Sequence, residues 1–413
     1  MAGVQFFLFK NYLSPFSNMS FQISYEILTS EKNATSLDTF LQDVIAFTRE
    51  AEGKGAMLAK MAFFLNTSCT EQFRQTKAQI DSTLTSQLKD KAPPTVFIAQ
   101  SPLAGLPCAV EMTLVSSGSQ GAGIRFKSLS PFKYAVVEEG DARWLFLGLD
   151  NHHLPENNFN ALVFNTFDVA NKILEAENMS FKHVIRQWNY IENITNTTQN
   201  QSGEYQYYQI FNDTRALFYE NSQLRFDFPA ATGIGCDTGG FALELIALSS
   251  PDLFKSISIK SPVQKNAYEY SDGVLIGDAI HPVARQAPLF ERAKMVMYKN
   301  SAIVYVSGTA AISGEKSVET RDPEHQTELT IQNIFELVTE TNLRLNNIHR
   351  KVKTMSPSYV RAYVKDTAHI ELVDKICKKH FAGTPLLLVQ SDVCRDELLV
   401  EIEAAFHCQF ISQ

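Results

Sequence analysis

Two stretches of this chain, residues 143–248 and 302–406, pass through the same succession of hydrophobic patterns, and that repetition limits the possible folds more than any other feature. In the later stretch, AIVYVSG at 302–308 is β-branched and aromatic and ends in glycine. A polar turn follows, after which Leu329, Ile331, Ile334, Phe335, Leu337 and Val338 recur at helical spacing within a helix expected over 325–345. Residues 359–364 alternate as a strand, Asp366 supplies an N-cap for a helix over 367–381, and strands are expected at 385–390 and 398–406. The order is β-α-β-α-β-β.

The earlier stretch repeats it more faintly. A strand at 143–149 and a helix around 168–176 lead to a strand at 186–191, in which Arg186 is matched with Arg361. A helix at 207–219 and strands at 230–236 and 241–248 complete the copy. The Asn-, Thr-, Gln- and Ser-rich run at 193–204 reads as an exposed loop between strand and helix. The expected fold is therefore α/β, with two such units as a pseudo-repeat at 131–250 and 291–413. Residues 251–290 connect them and line a cleft. Residues 1–130, with a helix at 37–50 and β-like runs at 95–100 and 109–115, form an N-terminal extension whose role is not legible. The 413 residues are enough for several cores of this size.

Composition serves mainly to exclude. Lys plus Arg number 37 against 45 Asp plus Glu, a net charge of −8, which argues against binding nucleic acid. No apolar run reaches the roughly 18 residues of a membrane span, and the first residues lack a basic leader, so a cytoplasmic protein is expected. The sequons at Asn18, Asn33, Asn66, Asn178, Asn193, Asn196, Asn200 and Asn212 then reflect residue usage only. Cys69, Cys108, Cys236, Cys377, Cys394 and Cys408 lie far apart with no CxxC pair and read as reduced thiols. His152 and His153 are adjacent and point to opposite faces of a strand, so no metal site is expected. GIGCDTGG at 233–240 lacks the third glycine of a dinucleotide fingerprint, which would fall at Thr238, and is read as a tight turn between strands. Neither a G-x-S-x-G nor a P-loop pattern occurs.

The last strand carries the most chemical information. In LVEIEAA at 399–405, Val400 and Ile402 share one face while Glu401 and Glu403 share the other. Such a pair ordinarily faces solvent; buried in a cleft, one carboxyl becomes an acid catalyst. Cys394, a few residues upstream, can border the same cleft if residues 391–397 loop back.

SGTAAI at 307–312, the QT-x5-NI pattern of 326–334 and LLVEIEA at 398–404 resemble the reactive-intermediate imine deaminase fold. More narrowly, RQWNYI at 186–191, FPAATGIGC at 228–236, SPVQKNAYEY at 261–270 and SDVCRDELLVEIE at 391–403 resemble the chorismatases. Imine deaminases of this fold hold the substrate carboxylate with an arginine where this chain has Leu386, so the resemblance favours the second family. It implies cleavage of the enolpyruvyl ether of chorismate to pyruvate and a cyclic acid, without metal or organic cofactor.

By that resemblance Glu401 is the acid that protonates the enol ether, and Glu403 is structural. Arg361, Arg186, Tyr268, Tyr270, Gly308, Thr309 and Ala310 are the expected substrate contacts, arginines and hydroxyls being suited to a dianion. Cys394 points to the hydroxybenzoate-forming branch, whereas Ala310 resembles the hydrolytic branch; a mixed 3- and 4-hydroxybenzoate type is the resulting expectation. Two alternatives stay open: an imine or enamine hydrolase using Arg361 for its substrate carboxylate, and a ligand-binding protein of the same fold.

Overall fold

The central strands of this protein are buried along almost their whole length, so each sheet needs cover on both faces. The computed structural model describes residues 21–30, 36–102, 106–117, 123–150, 158–200, 203–271, 274 and 286–412. It meets that need with three sheets whose inner faces pack on one another and whose outer faces carry helices.

The first unit is β1 (Phe21–Thr29), α1 (Leu37–Gly53), β2 (Ala56–Leu65), α2 (Thr70–Leu88), β3 (Thr95–Ile98) and β4 (Cys108–Ser117). The second is β5 (Ile124–Leu129), β6 (Phe132–Glu139), β7 (Ala142–Asp150), α3 (Phe159–Ala176), β8 (Val184–Glu192), β9 (Thr197–Asn200), β10 (Gly203–Gln206), α4 (Tyr207–Asn221), β11 (Ala230–Cys236) and β12 (Phe241–Ser249). The third is β13 (Lys255–Ile259), β14 (Ala293–Tyr298), β15 (Ser301–Ala310), β16 (Ile312–Ser313), β17 (Lys316–Ser317), α5 (Pro323–Val338), α6 (Glu340–Leu345), β18 (Val352–Val364), α7 (Ile370–His380), β19 (Leu386–Gln390) and β20 (Val400–Phe410).

Sheet orders are β1-β4-β2-β3, β11-β8-β12-β7-β6-β5 and β13-β14-β15-β20-β18-β19. Stripped of the extra strands, all three have one topology: the last strand lies antiparallel between the first and second, and the third pairs parallel with the second. Residues 21–117 are thus a third β-α-β-α-β-β unit and not an extension of another kind. Its strand β2, AMLAKMAFFL, escapes sequence reading because a continuous apolar run has no period to separate strand from helix.

Other expectations are adjusted locally. The run at 193–204 holds the β9–β10 hairpin where an open loop was expected. The helix expected over 325–345 divides at Thr339, whose extended backbone ends α5 and whose Oγ1 accepts from Asn342 N at 3.2 Å to begin α6. Gly233 and Gly235 lie within β11, and the turn occupies only the residues after it. His152 and His153 lie outside the described residues. No helix among the described residues is long and apolar enough to cross a membrane.

The inner faces of all three sheets share one core, including Phe64 and Val96, Trp144 and Trp188, and Tyr305 and Tyr363. At its centre is a ring of buried ion pairs. Lys60 of the first unit pairs with Glu244 of the second, Arg186 of the second with Glu403 of the third at 2.7 Å, and Arg361 of the third with Glu111 of the first at 2.5 Å. The three glutamates sit at matching places on β4, β12 and β20, opposite Ala62, Trp188 and Arg361. This register corrects the sequence alignment: Trp188 is the counterpart of Arg361, and Arg186 matches Lys60.

A buried charge stripped of its partner keeps its desolvation cost without the compensating attraction. Lys60→Met should therefore lower unfolding free energy in denaturant by about 3–5 kcal/mol. The double variant Lys60→Met, Glu244→Leu should recover most of that loss, and a single variant as stable as the parent would remove the ring from the account of assembly.

Candidate active site

Strand β20 alternates between two cores. Val400, Ile402, Ala404 and Phe406 pack toward α5 and α7, and the opposite face, with Glu401, Glu403 and Ala405, turns inward between the sheets. The carboxylate pair expected to face solvent by default is thus buried, Glu401 at 6% exposure and Glu403 at 0%.

Their surroundings differ sharply. Glu403 receives hydrogen bonds from Arg186 Nη2 (2.7 Å), Thr232 Oγ1 (2.5 Å), Trp188 Nε1 (2.6 Å), Tyr359 Oη (2.8 Å) and Tyr363 Oη (3.2 Å). Burial alone would raise its pKa, but Arg186 and Arg361 with the bonds from Thr232 and Trp188 hold it below the ordinary value. Glu403 is an ionised structural carboxylate. Glu401 accepts no hydrogen bond from any described residue and borders a cavity between the second and third units. Burial, and next the charge of Glu403, push its pKa from 4.5 up to about 8, against weaker pulls from Arg186 and Arg292. It is a neutral acid at pH 7.

The strand opposite makes room for that carboxyl. Between Val306 and Thr309 the pairing of β15 with β20 slips by one residue, a bulge that turns Ser307 and Gly308 toward β11. Glu401 Oε1 lies directly over Gly308, where a Cβ would overlap it. Any side chain at 308 would displace the carboxyl from this position.

Around the cavity stand Tyr208, Asn212 and Arg215 of α4, Tyr270, Arg292 before β14, Ala310 of β15, and Cys394 and Arg395 before β20. Arg215 is buried, donates to Asn212 Oδ1 at 2.8 Å and lies over the Phe211 ring; its Nε and the Asn212 Nδ2 have no partner among the described residues. Arg292 donates to Lys265 O and to Tyr270 Oη at 2.6 Å, and Arg395 donates to Glu315 O and Ser317 Oγ. Both guanidinium groups lie against the Tyr270 ring. None of the three arginines forms an ion pair with a carboxylate among the described residues. A cavity with three such cations and one neutral acid suits an anionic ligand with more than one carboxylate.

Five of the expected site residues, Glu401, Cys394, Tyr270, Gly308 and Ala310, come together on this cavity. Burial, then Glu401, push the Cys394 thiol up to about 12, so it meets the cavity as a neutral group and not as a thiolate.

The expected contacts from Arg186 and Arg361 are corrected. Both belong to the ion-pair ring behind the cavity: Arg186 donates through Nη2 to Glu403 and Thr232, its Nη1 having no partner among the described residues, and Arg361 is wholly buried against Glu111. Tyr268 turns away, packing on Phe228 with its hydroxyl 3.5 Å from Glu291 Oε2. The donors of Thr309 and Gly308 are already used, by Ser307 O at 2.9 Å and by Thr232 Oγ1 at 3.0 Å.

Sequence reading missed Tyr208, Asn212, Arg215, Arg292 and Arg395. A signal existed for α4: Gln209, Asn212 and Arg215 recur every third residue beside the buried Phe211 and Phe218, a polar stripe on the inward side of a helix. Among the described residues no group of three or more His, Cys, Asp or Glu could hold a metal ion.

The family model "Chorismatase FkbO/Hyg5-like, N-terminal" matches residues 132–248. A 3-hydroxybenzoate synthase of Streptomyces hygroscopicus is 31% identical over 233 residues, 55% of this chain and 64% of that protein. A chorismatase of the same organism is 26% identical over 245 residues, 59% of this chain and 65% of that protein. The alignments thus span just under two thirds of these relatives' own length. A crystal structure of a chorismatase superposes with a TM-score of 0.62 over 93% of this chain and 99% of the other at 18% identity, a likeness of fold.

Because Glu401 is protonated in the folded protein up to about pH 8 and its carboxyl ionises near 4.5 when unfolded, the folded state holds the extra proton between those values. Its contribution to stability is undiminished below 4.5 and falls as pH rises toward 8. Glu401→Gln removes this dependence, so the variant should gain on the parent between pH 5 and pH 8 by up to about 4 kcal/mol in denaturant unfolding. An equal difference at both pH values would mean that Glu401 is ionised throughout.

Proposed function

We propose that the chain is a chorismatase of the FkbO/Hyg5-like family, which its similarity to that family model and to these relatives supports, and that it cleaves the enolpyruvyl ether of chorismate to pyruvate and 3-hydroxybenzoate, 4-hydroxybenzoate or both. The observation that carries this reading is the neutral Glu401 carboxyl facing a cavity whose three arginines form no carboxylate ion pair among the described residues. Chorismate brings two carboxylates and an enol ether, and this cavity offers cations for the first and a proton for the second.

Glu401 passes its proton to the methylene carbon of the enolpyruvyl group, converting the ether into an oxocarbenium ion; the ring carbon–oxygen bond then breaks, the ether oxygen leaves as the keto oxygen of pyruvate, and the ring gives up a proton, which returns to the Glu401 carboxylate, as it becomes aromatic. An acid with an ordinary carboxyl pKa would be almost entirely ionised at neutral pH and could not donate. Arg215, with Asn212 beside it, takes one substrate carboxylate; Arg292 and Arg395 take the other, with Tyr270 fixing both guanidinium groups. The neutral Cys394 thiol borders the ring and bears on which oxygen the ring keeps. The atoms balance as chorismate giving pyruvate plus hydroxybenzoate with no water consumed, whereas a dihydroxycyclohexadiene carboxylate product would take up one water. The relatives' names, 3-hydroxybenzoate synthase and chorismatase, accord with either outcome of the ring chemistry.

An imine hydrolase gains no support from the site. Leu386 packs on the helix side of its sheet, and Arg361, the cation such an enzyme would need in exchange, is paired with Glu111.

Incubation with chorismate in the presence of EDTA should release pyruvate with an equal amount of 3- or 4-hydroxybenzoate, followed by coupled assay and chromatography. The rate should decline above about pH 8, as Glu401 loses its proton. Glu401→Gln should lower kcat by roughly two orders of magnitude or more while chorismate affinity survives. Full activity in that variant removes Glu401 from the mechanism; binding without turnover by the parent makes the protein a ligand carrier.

A further inference from the structure

The three units create three seams; in two of them the third strand of one unit faces the first strand of the next, β3 against β7 and β11 against β15, and in the remaining one β18 meets β1. Register places matching residues in all three. Two residues before the glutamates Glu111, Glu244 and Glu403 stand Ala109, Ala242 and Glu401. The acid is present in one seam only. A second difference goes with it: on the strand paired parallel, opposite Ala62, Trp188 and Arg361, stand Val96, Thr232 and Leu387. The seam with the acid is the one with a hydroxyl.

That hydroxyl is used to its full valence. Thr232 Oγ1 donates to Glu403 Oε2 at 2.5 Å and accepts from Arg186 Nη2 at 2.7 Å and Gly308 N at 3.0 Å, one donor and two acceptors in all. Gly308 is the residue beneath the Glu401 carboxyl, and its Cα also lies close to Thr232, whose Cγ2 would be 3.0 Å from a Cβ built there. In the first-to-second seam the matching glycine, Gly148, packs on Val96 without any such bond.

We propose that Thr232 is a positioning residue for the acid: its hydroxyl pins Gly308 to the ion-pair ring, which closes the floor under Glu401 and keeps water from that side of the carboxyl. The groups that act on Glu401 are Glu403 on its own strand, Arg186 from β8, Arg292 before β14, and Cys394 and Tyr208 from the loop and helix across the cavity. Burial is the largest cause of its raised pKa, ahead of every charge among them. Thr232→Val keeps the shape and deletes the hydroxyl, leaving the Gly308 amide unpaired and the floor free to relax and admit water. The acid then loses its proton at lower pH.

This inference rests on the proposed acid role of Glu401, and its test has a readout that needs no substrate. The protonated-carboxyl infrared band that Glu401→Gln abolishes is titrated in the parent, Thr232→Val and Thr232→Ser. We expect its midpoint to fall by about one pH unit or more in Thr232→Val and to return toward the parent in Thr232→Ser. With chorismate, Thr232→Val should lose about twofold in kcat at pH 7 and about tenfold at pH 9, where a one-unit fall in the midpoint removes most of the remaining protonated acid, with KM within about twofold because the cavity arginines are untouched. A midpoint unmoved in folded Thr232→Val overturns the proposal, whether or not chorismate is turned over. A shifted midpoint in a protein inert to chorismate upholds the positioning role and rejects the reaction. If Thr232→Val does not fold, Thr232→Cys takes its place: its weakly bonding thiol should shift the midpoint where Thr232→Ser does not, and an unmoved midpoint there overturns the proposal equally.

Discussion

Everything in this structure hangs on the closed ring in which each unit gives a buried cation to a glutamate of the next. Ionised groups cost several kcal/mol each to desolvate, and only close partners offset that. Lys60, Arg186 and Arg361 therefore admit very few arrangements of the three sheets. A slip of one residue in β4, β12 or β20 would turn the glutamate to the helix side and strand its cation in an apolar core. The aromatic groups around the ring, Tyr190, Trp188, Tyr359 and Tyr363 among them, add hydrogen bonds that satisfy remaining carboxylate lone pairs. The ring is thus a device for register more than a source of net stability.

It also creates the condition for chemistry. A seam between packed sheets is dry, and a carboxyl placed in it stays protonated unless something pays for its charge. Two of the three seams carry alanine at that place, Ala109 and Ala242; the third carries Glu401. The same seam has Gly308 under the carboxyl and Arg215, Arg292 and Arg395 across the cavity. Three like frameworks and one differentiated site is an economical arrangement, since the unmodified seams can hold the scaffold rigid while the third departs from the pattern.

The legibility of this molecule in its sequence followed the strength of its periodicities. The third unit could be read almost element by element, because its strands alternate and Asp366 caps the short 3-10 turn at 367–369 that leads into α7. The second could be read by analogy with it. The first could not, since β2 is apolar throughout and leaves no period to read. Glu401 was visible because two carboxylates on one face of an apolar strand are unusual, and its neighbours Cys394, Gly308, Ala310 and Tyr270 lay in motifs that resembled a known family. Arg186 and Arg361 misled for a physical reason: an arginine in a strand has the same sequence signature whether it meets a ligand or another sheet's glutamate. The choice between them is made by tertiary register. The same holds for Arg215, whose role depends on which side of α4 turns toward the cavity.

Glu401 and Glu403 put that dependence in its sharpest form. They are two residues apart on one strand, on one face and both buried, yet one is ionised and the other neutral. Neither state follows from residue type or from burial, which acts on both in the same direction. What separates them is that Glu403 lies at the ring, within reach of Arg186, Trp188, Tyr359 and the Thr232 hydroxyl, while Glu401 lies one step beyond it over a glycine. The negative charge stabilised at the first then works against ionisation of the second. The interaction that assembles the three units is therefore also one that keeps a proton on the acid, and a variant that neutralised Glu403 would weaken both together.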